Sequence, residues 1–367
     1  MDFTWNDEQR ELRDLARTIL AERSTHDRLK ELEAASATVF DRQLWKTLAE
    51  SGLLGINVPE GNGGAGLGLL GLLPLLEEIG RHTAAVPFVA TAVGAVAPLV
   101  EFGDEQLRAS WLPGLMDGSI IGTAAGVGGA GPEAAARPRV TASGTGLALS
   151  GEAAFVAYGM ESDVLVVACE APDGPALVIV AGDAPGLSRT ALVTTNRQPS
   201  ANLEFDSTPA TLLAEGEEAV EWLAQRLRAA WCAVQAGNCD GAVRLMATYT
   251  STREQFGKRI AEFQAVAQRA ADAFIDTQMV RLTAWNALFR LSQGWEATKE
   301  VHSATFWAGD GAMRAVHAAQ HLHGGIGVDT DYPVHRHFLW AKQIEHTVGT
   351  PTRELILLGN ILADEPV

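Results

Sequence analysis

The segment His321-Leu322-His323-Gly324-Gly325-Ile326-Gly327 decides how this chain of 367 residues is interpreted. A long run with helical periodicity precedes the segment and stops at the two adjacent glycines. Because glycine has no Cβ, such a turn can adopt positive φ and allows another group to lie against bare backbone. Taken alone, the glycines also fit an ordinary helix C-terminus followed by a tight turn. A ligand-binding interpretation therefore needs a second motif.

That second motif is the sequence REQFG, which begins at Arg253 and is followed by Phe263 and Gln264. The planar guanidinium of Arg253 suits a phosphate or a carboxylate, and Phe256 offers a flat apolar face. We expect Gly257 to end the helix and Gln264, on the next helix, to hydrogen-bond a polar ligand. Each of these residue types is common in surfaces and cores, so only their combination with the glycine turn indicates a site.

Composition excludes several classes of function. The net charge of −17, from 28 basic and 45 acidic residues, disfavours nonspecific binding to nucleic acid or to anionic lipid. No apolar run is long enough to span a bilayer, and the N-terminus has no secretion signal. Cys169, Cys232 and Cys239 lack paired or metal-type spacing. We therefore expect a cytoplasmic protein without a membrane or nucleic-acid partner.

Periodicity predicts an α+β chain in three parts. Helical patterns dominate residues 1–117, where Asn6 is expected to cap the first helix and Asp41 a later one. Short strand-like runs separated by turn residues fill 118–212 and predict a small antiparallel β domain, with an Ala/Gly-rich loose loop over 126–136. Long helical patterns return over 213–367 and predict a four-helix-bundle domain. The predicted long helices are 217–252, 260–293 and 298–323.

Together the motifs resemble the acyl-CoA dehydrogenase family over essentially the whole chain. The order helices, β domain, bundle is similar, and so is a third motif, Asp331-Tyr332-Pro333-Val334-His335-Arg336. The resemblance implies FAD-dependent αβ-desaturation of an acyl-CoA, in which a carboxylate removes the α-proton while hydride leaves the β-carbon. It also implies an FAD shared across a subunit interface. The residues that the resemblance assigns to the adenosine and pyrophosphate half of FAD are Arg253, Phe256, Gln264, His321 (usually Gln in the family), Gly324 and Gly325.

The sequence departs from the family where the catalytic base is expected. Many members have Glu directly before a Gly-Thr pair, and here Val348 precedes Gly349 and Thr350. Other members place the base just before an arginine on the long helix upstream, and here that residue is Leu227. Glu221 lies near the second position if the register differs by a few residues. The resemblance thus predicts a chain without its own catalytic base.

The predicted β domain departs from the family as well. The Thr-Glu-Pro-type segment near the flavin is not recognisable in residues 123–128. The aromatic-Ile-Ser/Thr segment appears as Phe155-Val156-Ala157, which lacks the hydroxyl that would bond the flavin. The flavin-ring half of the site is therefore degraded, whereas the adenosine half is retained.

The retained adenosine half and the degraded flavin-ring half of the site both fit a non-catalytic subunit that shares FAD with a catalytic partner chain. The segment 327–336, Gly-Val-Asp-Thr-Asp-Tyr-Pro-Val-His-Arg, is similar to the corresponding segment of the β-type subunits of the α2β2 acyl-CoA dehydrogenases that shorten bacterial steroid side chains. The resemblance therefore implies a heterotetramer whose partner binds most of the acyl-CoA.

Three alternatives stay open at the level of sequence. A self-sufficient homo-oligomer could use Glu345, about a helical turn from Val348, as a displaced base. A scaffold protein could have lost the flavin altogether. A metal site could use two His-x-His pairs, although residues i and i+2 of a helix point apart. Those pairs are His321 with His323 and His335 with His337.

Overall fold

The structure is a computed structural model that describes residues 6–127, 137–143 and 146–364. The described chain falls into two compact units. The helical unit comprises Met1–Lys30, Leu73–Ala84 and Arg228–Val367, and the mixed unit comprises Glu31–Leu72 and Ala85–Leu227. Most of the predicted loose loop, and Gly128 of the predicted flavin segment, lie outside the described residues.

The helices begin where the sequence carries capping residues. The Asn6 side chain accepts a hydrogen bond from the Gln9 N–H at 2.8 Å, and the Gln9 side chain accepts one from the Asn6 N–H at 3.2 Å. The Asp41 side chain caps α3 (Arg42–Glu50) by accepting from the Gln43 and Leu44 N–H groups, both at 3.1 Å. The helices are α1 (Asp7–Arg23), α2 (His26–Ala35), α3 (Arg42–Glu50), α4 (Gly68–Gly71), α5 (Leu73–Arg81), α6 (Ala97–Phe102), α7 (Glu105–Met116), α8 (Glu217–Thr252), α9 (Gln264–Ser292), α10 (Thr298–His323), α11 (Val334–Val348) and α12 (Pro351–Asp364).

One helix start differs from the prediction. A 3₁₀ turn over Ile260–Glu262 precedes α9, so this helix begins at Gln264.

A π-helix over Val89–Val96 leads into α6. Its Ala92 carbonyl accepts from the Ala97 N–H, as expected for the wider π-helical turn. The same carbonyl also accepts from the Asn57 side chain at 2.9 Å.

The mixed unit contains a seven-stranded sheet in the order β1-β4-β2-β3-β7-β5, with β6 beside β7. An additional pairing between β4 and β5 closes the path on itself. The sheet is mainly antiparallel, as predicted, but β4 pairs with β1 and β2 in parallel. The chain allows this because whole strands lie between the parallel partners. The strands are β1 (Gly122–Ala125), β2 (Arg139–Ser143), β3 (Gly146–Ala157), β4 (Val164–Ala171), β5 (Gly174–Ala181), β6 (Leu187–Leu192) and β7 (Ser200–Glu215).

Residues 164–169 of β4 are all apolar and buried, because both faces of this part of the strand are covered. Val164 and Val166 belong to one hydrophobic cluster of the mixed unit, and Leu165 and Val167 belong to a second cluster. Successive side chains of a strand point to opposite faces, so a strand buried on both sides needs a continuous apolar run.

The helical unit is built around α10, which packs against α9, α11 and α12. Small residues form much of the buried face of α10, so its neighbours can approach closely. Glycines also allow α5 and α8 to touch backbone to backbone. A Cβ at Gly80 would lie 1.8 Å from the Val234 carbonyl oxygen, and a Cβ at Gly237 would lie 1.8 Å from the Glu77 carbonyl oxygen.

Candidate cofactor half-site

The REQFG motif forms a hairpin directly after α8. Strands β8 (Glu254–Gln255) and β9 (Lys258–Arg259) pair in antiparallel register. Phe256 and Gly257 form the turn with φ of 54° and 79°, and a two-residue hairpin turn requires positive φ at both positions in this form. The prediction that Gly257 ends the helix is wrong, because α8 already ends at Thr252.

This hairpin presents its predicted cofactor residues to the outside of the chain. Arg253 and Gln264 are exposed, and the Phe256 side chain is 92% exposed. Phe256 contacts the edge of Phe263 with ring centroids 6.3 Å apart. An aromatic side chain of this exposure gains little free energy within its own chain, so its position is consistent with contact to a cofactor or a partner.

The glycine turn lies at the end of α10. Gly324 has φ of 64° and donates its N–H to the His321 carbonyl, a helix ending that requires glycine. Gly325 is not among the residues with positive φ, and a Cβ there would meet open space among the described residues. Neither a positive φ nor packing within the described residues requires glycine at 325. Without a Cβ, its backbone is accessible to a group from outside the chain.

An aromatic cluster of Tyr249, His323 and Tyr332 joins the two motifs. Tyr249, one turn before Arg253, stacks on His323 with ring centroids 4.7 Å apart. The Tyr332 hydroxyl lies 3.3 Å from His323 Nε2. The ends of α8 and α10, which carry the motifs, therefore meet at one end of the helical unit.

Hydrogen bonds hold the ring of His323 in this cluster. Its Nδ1 donates to the Ala319 carbonyl at 2.7 Å, and its Nε2 faces the Tyr332 hydroxyl. Burial lowers the pKa of His323 more than its backbone hydrogen bonds raise it. His321, two residues earlier, is exposed on the opposite side of α10.

A buried ion pair occupies the region where the base was expected. Val348 is buried, and its carbonyl accepts from Arg228 Nε at 3.1 Å. Arg228 Nη2 also lies 2.7 Å from Glu354 Oε1, and His302 Nδ1 lies 2.6 Å from Glu354 Oε2. The fully buried carboxylate of Glu354 thus has partners on both oxygens.

The other positions considered for a base also have defined surroundings. Leu227, directly before Arg228, packs against a hydrophobic cluster of the mixed unit. Glu345 Oε2 lies 2.6 Å from Lys342 Nζ. Glu221 is exposed on α8. Among the residues that the structure describes, no carboxylate beside Val348 is both free of a cation and enclosed.

The two segments expected near a flavin ring interact with each other in the mixed unit. Thr123 is buried, and its hydroxyl donates to the Ala157 carbonyl at 2.7 Å. Phe155 has φ of 57° and is 67% exposed, while its N–H donates to the Asn202 side chain at 3.1 Å. No hydroxyl occupies position 157 itself.

Comparison with known proteins identifies the family. Models of the acyl-CoA dehydrogenase N-terminal domain and C-terminal domain match residues 6–119 and 214–360. The acyl-CoA dehydrogenase FadE27 of Mycobacterium tuberculosis is 36% identical over 100% of both chains. This chain belongs to the acyl-CoA dehydrogenase family.

Solved structures of the family give the same result. One chain of the ChsE4-ChsE5 complex from Mycobacterium tuberculosis is 35% identical, with a TM-score of 0.95 and 100% of both chains covered. One chain of a variant of the Tcur3481-Tcur3483 steroid ACAD is 42% identical, with a TM-score of 0.91 and 98% of both chains covered. The chain is therefore closely similar to subunits of heteromeric acyl-CoA dehydrogenases, and FAD is the cofactor of the family.

The residues at the end of the helical unit fit the phosphate-bearing part of FAD. Arg253 supplies an exposed guanidinium for charge-assisted bonds, and Gly324 and Gly325 leave their backbone uncovered by side chains. Phe256 supplies an exposed apolar face. Tyr249 is a further residue of this region that the sequence motifs do not include, and its position one turn before Arg253 is the available signal.

Within the described ranges, no group of three or more His, Cys, Asp or Glu residues is arranged to hold a metal ion. His335 is half-buried, whereas His337 is buried and its Nδ1 lies 2.8 Å from Asn238 Oδ1.

No helix in the described part of the chain combines the length and apolarity needed to cross a membrane.

Proposed function

We propose that this chain is the non-catalytic, FAD-sharing subunit of a heteromeric acyl-CoA dehydrogenase. It supplies the adenosine and pyrophosphate half of the FAD site to a catalytic partner chain. The observation that carries the proposal is the pairing of Arg228 with Glu354 beside Val348. Where the family has a free carboxylate, this chain has a valine and a carboxylate already neutralised by a cation.

The chemistry needs a base that can accept a proton at neutral pH. When bound, FAD supplies the acceptor for the hydride that leaves the substrate β-carbon. Val348 cannot take the α-proton, and Glu354 is held by Arg228 and His302 on both oxygens. Proton removal therefore falls to the partner chain. This chain contributes binding: Arg253 would pair with the pyrophosphate, and Phe256, Gln264, His321, Gly324 and Gly325 would surround the adenosine half.

Similarity to heteromeric relatives supports the proposal that this chain assembles with a partner chain. The named structures are complexes of two different chains, and one is called a steroid ACAD. We infer an α2β2 heterotetramer that acts on a CoA thioester of a steroid side chain, with the substrate bound mainly by the catalytic subunit.

Co-expression tests this proposal. The chain expressed alone is expected to purify without stoichiometric FAD and without acyl-CoA dehydrogenase activity. Co-expression with its catalytic partner should restore both, because only the pair completes one FAD site. The measurements are flavin content from the absorption spectrum and turnover of a steroid side-chain CoA thioester with an artificial electron acceptor. Full activity and stoichiometric flavin in the single chain would exclude the proposal.

A Glu345→Gln substitution separates the proposal from a self-sufficient enzyme with a displaced base. Glu345 is largely buried and paired with Lys342 at 2.6 Å, so we expect it to have a structural role. Turnover by the co-expressed complex should remain within about twofold of the wild type, whereas loss of a general base lowers rates about 10²- to 10⁴-fold. A loss of that size would favour Glu345 as the base. His346→Gln, at an exposed neighbouring position, is the matched control.

A further inference from the structure

The helical unit contains a cavity of about 370 Å³ that the proposed function does not use. Residues at the end of α1, the start of α2, the end of α5, the middle of α8 and the start of α11 line it. None of the described residues lining the cavity is a carboxylate, although the whole chain has a net charge of −17. The cationic and histidine residues in its wall are His26, Arg81, His82, Arg244, Arg336 and His337.

Arginines outnumber carboxylates in the ion cluster behind this wall. Asp240 is shared by Arg81, by Arg244 at 2.6 Å and by Arg281 at 3.4 Å. Burial opposes ionisation of Asp240, but these arginines together lower its pKa. The single negative charge of Asp240 is therefore shared among three guanidinium groups. The cluster contains four guanidinium groups (Arg17, Arg81, Arg244 and Arg281) and three carboxyl groups (Glu77, Glu78 and Asp240).

The ring of His26 orients another arginine in the wall. His26 Nε2 donates to the Asp331 carbonyl at 2.9 Å, so its Nδ1 is an acceptor and contacts Arg336 Nη1. This bond positions the guanidinium of Arg336. His26 begins α2 and Pro333 directly precedes α11. Two helix N-termini, where backbone N–H groups favour anions, therefore add to the positive potential of the cavity.

The histidines of the wall contribute little charge to the cavity. Burial lowers the pKa of His82, and it lowers the pKa of His337 to about 3. His82 Nε2 lies 3.7 Å from Glu78 Oε2, which also lies 3.0 Å from Arg81 Nε. Both rings are neutral near pH 7, so the positive charge of the cavity comes from its arginines.

We propose that this cavity is a binding site for a phosphate-type oxyanion, either inorganic or the phosphate group of a nucleotide. Its volume lies in the range of small-molecule sites, roughly 300 to 1,000 Å³. Arginine is suited to phosphate by charge and by its planar donors. None of its lining residues belongs to the cofactor half-site, so the proposal stands independently of the proposed function.

Calorimetric titration of the full chain with sodium pyrophosphate tests the proposal. Inorganic phosphate and ADP serve as parallel ligands at constant ionic strength and distinguish an inorganic from a nucleotide source. Saturable binding is expected, and Arg244→Gln should weaken it about tenfold, because one charge-assisted bond is lost. The Arg244 side chain is 67% exposed, so the substitution leaves the core unchanged. Arg269→Gln, at an exposed position on α9 outside the cavity wall, should bind as the wild type.

Pyrophosphate could also bind at Arg253, so an Arg253→Ala chain is titrated in parallel. Retained binding in this variant and weakened binding in Arg244→Gln support the cavity. Loss of binding in Arg253→Ala with wild-type binding in Arg244→Gln would overturn the proposal, as would absence of saturation with every ligand at millimolar concentration.

Discussion

Arg253→Ala is expected to weaken FAD retention by the co-expressed complex about tenfold to a hundredfold. Removing one charge-assisted partner of a phosphate costs about 1.5 to 3 kcal/mol, and each 1.4 kcal/mol changes an equilibrium constant tenfold. Arg253 is exposed and lies after the last residue of α8, so folding of the chain should not change. The measurements are the flavin-to-protein ratio after gel filtration and the dependence of turnover on added FAD.

The pattern of rescue makes this test specific. Excess FAD should restore turnover of the Arg253→Ala complex, because the proposed function assigns the catalytic groups to the partner. Arg259→Ala, on the other strand of the same hairpin and also exposed, controls for a general change in surface charge. Equal flavin content in the Arg253→Ala and wild-type complexes would show that the guanidinium does not hold FAD.

Gly237→Ala is expected to destabilise the chain by more than about 4 kcal/mol or to prevent folding. The added Cβ would lie 1.8 Å from the Glu77 carbonyl oxygen and 2.6 Å from its carbonyl carbon. These are backbone atoms of α5, which cannot move aside like the end of a flexible side chain. Relief therefore requires α5 and α8 to separate. Urea unfolding followed by circular dichroism, together with soluble yield, measures the effect.

Gly359→Ala is the matched control for that substitution. Gly359 also lies within a helix, α12, but a Cβ there meets nothing within 4 Å among the described residues. Alanine should stabilise this helix by about 0.5 to 1 kcal/mol, because it has the higher helix propensity. If both variants unfolded at the same urea concentration, the close contact between α5 and α8 would not contribute to stability.

The sequence was sufficient for the features that depend on near neighbours. The capping residues Asn6 and Asp41 predicted helix starts that the structure confirms. Helix α8 ends at Thr252 as periodicity predicted, rather than at Gly257, and α10 ends at His323, directly before the predicted glycine turn. Capping and helical periodicity involve residues within about four positions of each other, so they can be read directly from the order of residues.

Family resemblance extended this to the order of the parts and to the cofactor, because the motifs at Arg253 and Gly324 keep a similar spacing to those of the family. The same resemblance identified Val348 as a departure. It did not reveal that Arg228 and His302 hold Glu354, since those partners lie 126 and 52 positions away in sequence.

Only the tertiary structure decided which distant groups meet. It placed Tyr249 against His323, paired β4 in parallel with β1 and formed a cavity lined by arginines of α5, α8 and α11. None of these follows from local pattern. Each depends on how whole helices and strands pack, and packing is set by the fit of many side chains and close-approaching glycines that are far apart in the chain.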